Sequence, residues 1–215
     1  VAWIVAQRLG DRFGQSVIVD NRPGANGGVA ASLLASAPAD GYQFLVTDGS
    51  MLSINPAIYS KLTYDAQKDF VPVALVARAP LFLAVHPKVP AATLAEFIAY
   101  VKSRPGQVNY GSSGIGSTHH LTIEAMKSAL GLDMVHVPFK GTGQSVPALV
   151  GGQVEVLMSA YPSLSGFVKD GRVRMLATNS EQRSAQASDL PAIAELIPGF
   201  DFAPIVGVLA PAGTP

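Results

Sequence analysis

The segment Val108–Leu130 constrains the fold more than any other. An extended, apolar entry (Val108, Tyr110) breaks at Gly111-Ser112-Ser113-Gly114-Ile115-Gly116 into glycine and small hydroxyl residues. A helical pattern follows, with Leu121, Ala125, Met126, Ala129 and Leu130 on one face. Ser117 or Thr118 stands where an N-cap belongs. Strand, glycine-serine turn and helix N-terminus together gather backbone N–H groups, hydroxyls and the positive end of a helix dipole. Such a place favours an anion, which need not be a phosphate.

Familiar motifs do not fit this turn. A dinucleotide fingerprint needs a third glycine where His119 stands, and a nucleophile elbow centred on Ser113 needs one where Ile115 stands. No P-loop pattern occurs.

The same unit recurs along the chain. Strand Val17–Val19 leads into Asn21–Gly28, and helix Val29–Ala37 ends at Pro38. Strand Tyr42–Val46 opens into Thr47-Asp48-Gly49-Ser50. Strands Val73–Val76 and Leu81–Val85 precede a capping box, Thr93-Leu94-Ala95-Glu96, with Leu94, Phe97, Ile98 and Val101 at helical spacing. Strands Met134–Pro138, Val154–Met158 and Val173–Ala177 then alternate with helices ending near Val150 and Lys169. This alternation predicts an α/β fold with a mostly parallel sheet covered on both faces. Ligands of such sheets bind beyond the carboxyl ends of the strands. Those ends are Thr47–Ser50, Ser112–Thr118, Lys140–Thr142, Ser159–Tyr161 and Thr178–Ser180, small and hydroxyl-rich, with charge only at Asp48 and Lys140.

Composition narrows the function classes. Acidic and basic residues balance at 15 each, so there is no basic footprint for nucleic acid. The most apolar stretch, Val71–Val85, is interrupted by Pro72, Arg78 and Pro80 and is no membrane span. Without cysteine there are no disulfides and no thiolate metal sites. His119 and His120 diverge on a helix and have no completing ligands, so neither a metal nor a cofactor is expected. The chain opens inside an amphipathic helix and stops in a loop, which reads as a fragment truncated at both ends.

Blocks spread over the whole chain resemble the receptors of tripartite tricarboxylate transporters, the Bug-type solute-binding proteins. They include Asn21-Arg22-Pro23-Gly24-Ala25, Asp40-Gly41-Tyr42, Ile54–Tyr59, Lys68-Asp69-Phe70 with Pro72-Val73, and Asn109–Gly114. His120-Leu121 with Glu124, Val135–Gly141, Gly152-Gln153-Val154, Pro162-Ser163 and Leu209–Pro215 follow in the family's order. The resemblance implies a two-lobed, type II periplasmic-binding-protein fold, a Venus flytrap that traps a small carboxylated solute between its lobes. It implies a monomer that hands the solute to a two-subunit membrane permease. By the same resemblance the first lobe is Val1–Ala99, lacking an N-terminal strand and C-terminal helices. The second lobe is Tyr100–Phe200, and residues 201–215 cross back. A chain so shortened is expected to bind poorly.

The residues expected to line the ligand are Thr47, Asp48, Gly49, Ser50, Ser112, Ser113, Gly114, Ser117, Thr118, Ser159, Ala160 and Tyr161. Many amino-acid-binding relatives carry an aspartate at Ser159, so a mono- or dicarboxylate without an α-amino group is expected. Asp48 is read as turning into its own loop as an Asx-turn. His120 is expected to stabilise the loop and helix start, His136 to be a buried, hydrogen-bonded residue, and Tyr161 to be either ligand wall or packing. Lys140 and Arg22 are read as solvated or structural charges. Two alternatives stay open: the effector-sensing domain of a regulator, and a Ser/His hydrolase using Ser112 or Ser113. The hydrolase lacks elbow spacing and an evident acid partner for a histidine.

Overall fold

The computed structural model describes residues 1–215. In chain order its elements are α1 (Ala2–Phe13), α2 (Gly28–Ala35), β1 (Leu45–Thr47), α3 (Ser50–Ser53), α4 (Asn55–Ile58), β2 (Phe70–Arg78) and β3 (Leu81–Val85). There follow α5 (Leu94–Lys102), β4 (Asn109–Ser112), α6 (Thr118–Leu130), β5 (Val135–Pro138), α7 (Thr142–Val150), β6 (Val156–Ala160), α8 (Tyr161–Lys169), β7 (Arg174–Thr178) and β8 (Ile205–Pro211).

The chain packs as two units, Val1–Arg78 with Ile205–Pro215, and Ala79–Pro204. The division therefore falls at residue 78 rather than near 99. The reason is β3, which pairs with β6 and β7 and so carries α5 into the second unit.

The second unit holds a five-stranded sheet in the order β5-β4-β6-β3-β7. Strand β4 runs parallel to β5 and β6, whereas β3 is antiparallel to both of its neighbours. Four strands thus point one way, with a single opposing strand inserted between β6 and β7. The run Leu81-Phe82-Leu83-Ala84-Val85 is at most 2% exposed. Leu81, Leu83 and Val85 enter one core with Phe97, Val101, Ile123 and Met126, while Phe82 and Ala84 enter another with Val146, Leu149 and Leu164. Period-two alternation with apolar residues on both sides is what a strand covered on both faces needs. Helices α5 and α6 cover one face, α7 and α8 the other. Helix α5 starts at the predicted N-cap, with Glu96 N–H donating to Thr93 Oγ1 at 3.2 Å, while Glu96 Oε2 accepts Ala92 N–H, one residue before the cap, at 2.6 Å.

The first unit holds a three-stranded sheet, β1-β8-β2, antiparallel throughout. A mostly parallel sheet is thus met by the second unit alone. Here β1 and β2 run parallel to each other, and β8 is inserted between them. Its core is small: Ala31, Leu34, Met51, Tyr64 and Leu209. The expected buried strand Val17–Val19 does not form a strand, and Ile18 is 87% exposed. Hydrophobicity alone does not make a strand where no partner edge is offered.

Candidate functional site

The four like-directed strands of the second unit deliver their carboxyl ends to one edge. There β4 runs out at Ser112, β5 at Pro138, β6 at Ala160 and β7 at Thr178. Counting on from the pair Gly111–Leu157, Ser113 and Ser159 fall at the same level of adjacent parallel strands.

The loop between β4 and α6 is tied to itself. Ser112, 1% exposed, accepts Gly114 N–H at 3.1 Å and lies 2.7 Å from His136 Nε2. Ser117, 3% exposed, donates to Gly114 O at 2.7 Å and accepts His120 N–H at 3.2 Å, so it is the N-cap of α6. Gly116 N–H donates to His120 Nδ1 at 3.2 Å. Gly114 holds a φ of +136°, which L side chains rarely adopt. Of the predicted hydroxyls, those of Ser112 and Ser117 therefore hold the loop together. Ser113 is only partly buried, its Oγ 2.8 Å from His119 Nδ1. Thr118 is the first residue of α6. Removing the cap by Ser117→Ala should cost about 1 kcal/mol of stability, as other N-cap deletions do. A urea midpoint indistinguishable from wild type would show that α6 does not rely on it.

Beneath the loop lies a column of rings. His120 and His136 stack at 4.0 Å between centroids, and Tyr110 stacks on His136 at 4.9 Å. The Tyr110 hydroxyl donates to Glu124 Oε1, which also accepts Lys127 Nζ at 2.6 Å. Burial pushes the His136 imidazole down to about 4, helped by the neighbouring His120 ring, and burial also lowers His120. Burial raises the Glu124 carboxyl, but its bonds to Lys127 and Tyr110 outweigh that and hold it below its usual range. The adjacent His119 and His120 thus serve different partners, as their divergence on a helix predicts.

At the next strand end, Ser159 is fully buried and its hydroxyl has no hydrogen-bond partner. A buried hydroxyl without a partner is costly and needs an explanation. Ala160 caps α8, and Tyr161 sets its ring edge-on to Phe82 at 5.7 Å. Tyr161 thus packs on Phe82 while staying only partly buried. Lys140 is exposed, and its N–H donates to Gln144 Oε1 at 3.1 Å.

In the first unit Thr47 pairs with Gly207 at the end of β1. Asp48 Oδ1 accepts Ser50 N–H at 3.0 Å and Ser50 Oγ–H at 2.7 Å, the expected Asx-turn, with Gly49 at a φ of +78°. Beneath it sits a polar cluster that the sequence reading missed. Fully buried Asn55 accepts Asn26 Nδ2–H at 2.9 Å and donates to Asn26 O at 3.2 Å and Tyr64 Oη at 3.0 Å. Ala25 and Asn26 both hold positive φ, and Asn26-Gly27 and Asn55-Pro56 were the only signals of it. Arg22 is exposed and paired with Asp20 at 2.8 Å.

The model of the tripartite tricarboxylate transporter family receptor matches residues 1–215. The chain belongs to this family. BugT of Bordetella pertussis is 35% identical over 216 residues, covering all of this chain and 66% of that protein. The receptor chain spans about two thirds of the length of its curated relatives, 63% of a Bordetella bronchiseptica one that is 37% identical. Among solved structures, Rpa4515 of R. palustris with adipate superposes with a TM-score of 0.94 at 38% identity, over all of this chain and 72% of that one. MatC of Rhodopseudomonas palustris with bound malate gives 0.86 at 31%, over all of this chain and 73% of that one. The receptor has the α/β fold of periplasmic binding proteins, and its family and neighbours are binding proteins. None of its helices is long and apolar enough to cross a membrane.

Proposed function

We propose that this receptor captures a small mono- or dicarboxylate in the periplasm, without turnover, and hands it to a two-subunit membrane permease. The observation that carries the reading is the Ser112–Ser117 loop. It is braced by its own hydroxyls and presents Ser113 at the N-terminus of α6, in a chain whose solved relatives hold adipate and malate. The partnerless hydroxyl of Ser159 on the adjacent strand supports a polar ligand at the same edge. Gly114 and Thr118 belong to the same loop, and the Thr47–Ser50 turn is a separate candidate carried by the first unit. A neutral Ser159, and an Asp48 oxygen already turned to Ser50, favour a ligand without an α-amino group.

Calorimetry of the intact protein with adipate and malate tests this. Ser113→Ala should weaken binding by about 0.5–1.5 kcal/mol, and up to about 3 kcal/mol if its acceptor is a carboxylate. Unchanged affinity would remove Ser113 from the site. A thermal-shift screen pairing amino acids with their deaminated analogues decides ligand type, and stabilisation by the amino acids alone would reverse that part of the reading. Mass spectrometry should return each ligand intact.

A further inference from the structure

We propose that His120 and His136 are positioning residues: stacked as neutral imidazoles, they pin the two ends of the Ser112–Ser117 loop, and charging His120 releases its Gly116 end. This rests on reading that loop as the carboxylate site. His120 Nδ1 accepts the Gly116 N–H at 3.2 Å, which only a ring unprotonated at Nδ1 can do, so His120 must be the neutral Nε2–H tautomer. His136 Nε2 sits 2.7 Å from Ser112 Oγ, the same oxygen that accepts Gly114 N–H. One ring therefore ties the end of the loop and the other its beginning. With centroids 4.0 Å apart, neither ring can swing without the other.

The groups facing the pair are Tyr110 from β4 and Glu124 and Lys127 from α6. Glu124 and Lys127 bond each other, so their charges largely cancel, and Tyr110 stays a neutral phenol. Little in this setting favours an imidazolium, and the burial that lowers both rings agrees. If the rings instead attracted the anion directly, charging them would tighten binding. Here it breaks the bond that Gly116 makes.

The intact protein, labelled with ¹⁵N and free of ligand, is followed from about pH 7.5 to about pH 3.5. We expect His120 as the Nε2–H tautomer, and the Gly116 amide signal moving with the midpoint of ring protonation. His120→Asn places a non-titrating oxygen near the position of Nδ1, so its Gly116 signal should show no such step. A Gly116 amide indifferent to the charge of His120 in wild type would overturn the proposal. The second arm uses adipate at about pH 7.5. His120→Phe and His136→Phe, which keep a ring but lose the bond, should bind about fivefold more weakly, while His120→Asn and His136→Gln stay within roughly twofold of wild type. Equal affinity in all five proteins would also overturn it. If wild type binds no adipate, the ligand reading fails for this probe, and the amide titration still decides the clamp.

Discussion

Asn179→Ala is expected to destabilise the second unit by about 1–3 kcal/mol. Asn179 follows β7 and is fully buried. Its Oδ1 accepts Leu81 N–H at 2.8 Å, and its Nδ2 donates to Phe202 O at 2.9 Å. Its own backbone closes the arrangement, with Asn179 N–H on Leu81 O and Phe202 N–H on Asn179 O, both at 2.9 Å. One side chain thus joins the first residue of β3 to the segment that leaves the unit. Alanine leaves the buried donor at Leu81 without the partner it has now, costing about 1–3 kcal/mol, whereas the Phe202 carbonyl belongs to an exposed residue and can turn to water. Urea unfolding followed by a probe in the second unit measures it. A loss below about 1 kcal/mol would mean that water or a neighbour replaces the amide.

Gly114→Ala should weaken carboxylate binding at least about tenfold, which corresponds to about 1.4 kcal/mol. A side chain at a φ of +136° is strained by about 1–3 kcal/mol. The free loop can relieve that strain by turning the peptide, at the expense of the bonds that Gly114 makes with Ser112 and Ser117. A bound ligand must then force the strained geometry back. Gly143→Ala is the control, since it has ordinary φ and nothing within 4 Å of the added methyl. Titration with adipate compares them, and equal affinities would show that the loop can change shape without consequence for the ligand.

Alternation of apolar strands, small-residue turns and amphipathic helices was enough to read the α/β class and most elements of the second unit. It could not reveal β3 and β8 as the opposing strands, because hydrophobic pattern records burial and not direction. Both are the first strands after the chain passes from one unit to the other, at 78–79 and 204–205. The polar residues at strand ends were legible as a set, but not their individual uses. A serine or asparagine beside a turn caps, staples or faces solvent with the same sequence signature. Ser117 caps, Asn179 staples, and Ser112 joins a histidine twenty-four positions away. The Asn26–Asn55–Tyr64 cluster left only turn signals for the same reason, since its members meet only after folding.

The strand inserted into each sheet also sets an order of events during synthesis. The second unit is one continuous stretch, so all of its strands are available once Pro204 has left the ribosome. The first unit is interrupted, and β1 and β2 have no hydrogen-bonded contact with each other until Ile205–Pro211 arrives to bridge them. For as long as the second unit takes to be made, two apolar strands wait with open edges. Leu75 on β2 is 77% exposed even in the finished fold. Domains generally fold as units in the order in which they emerge. Here β1 and β2 are made before the second unit but are bridged only after it, and they are the part of the nascent chain for which a chaperone that shields strand edges has the most to do.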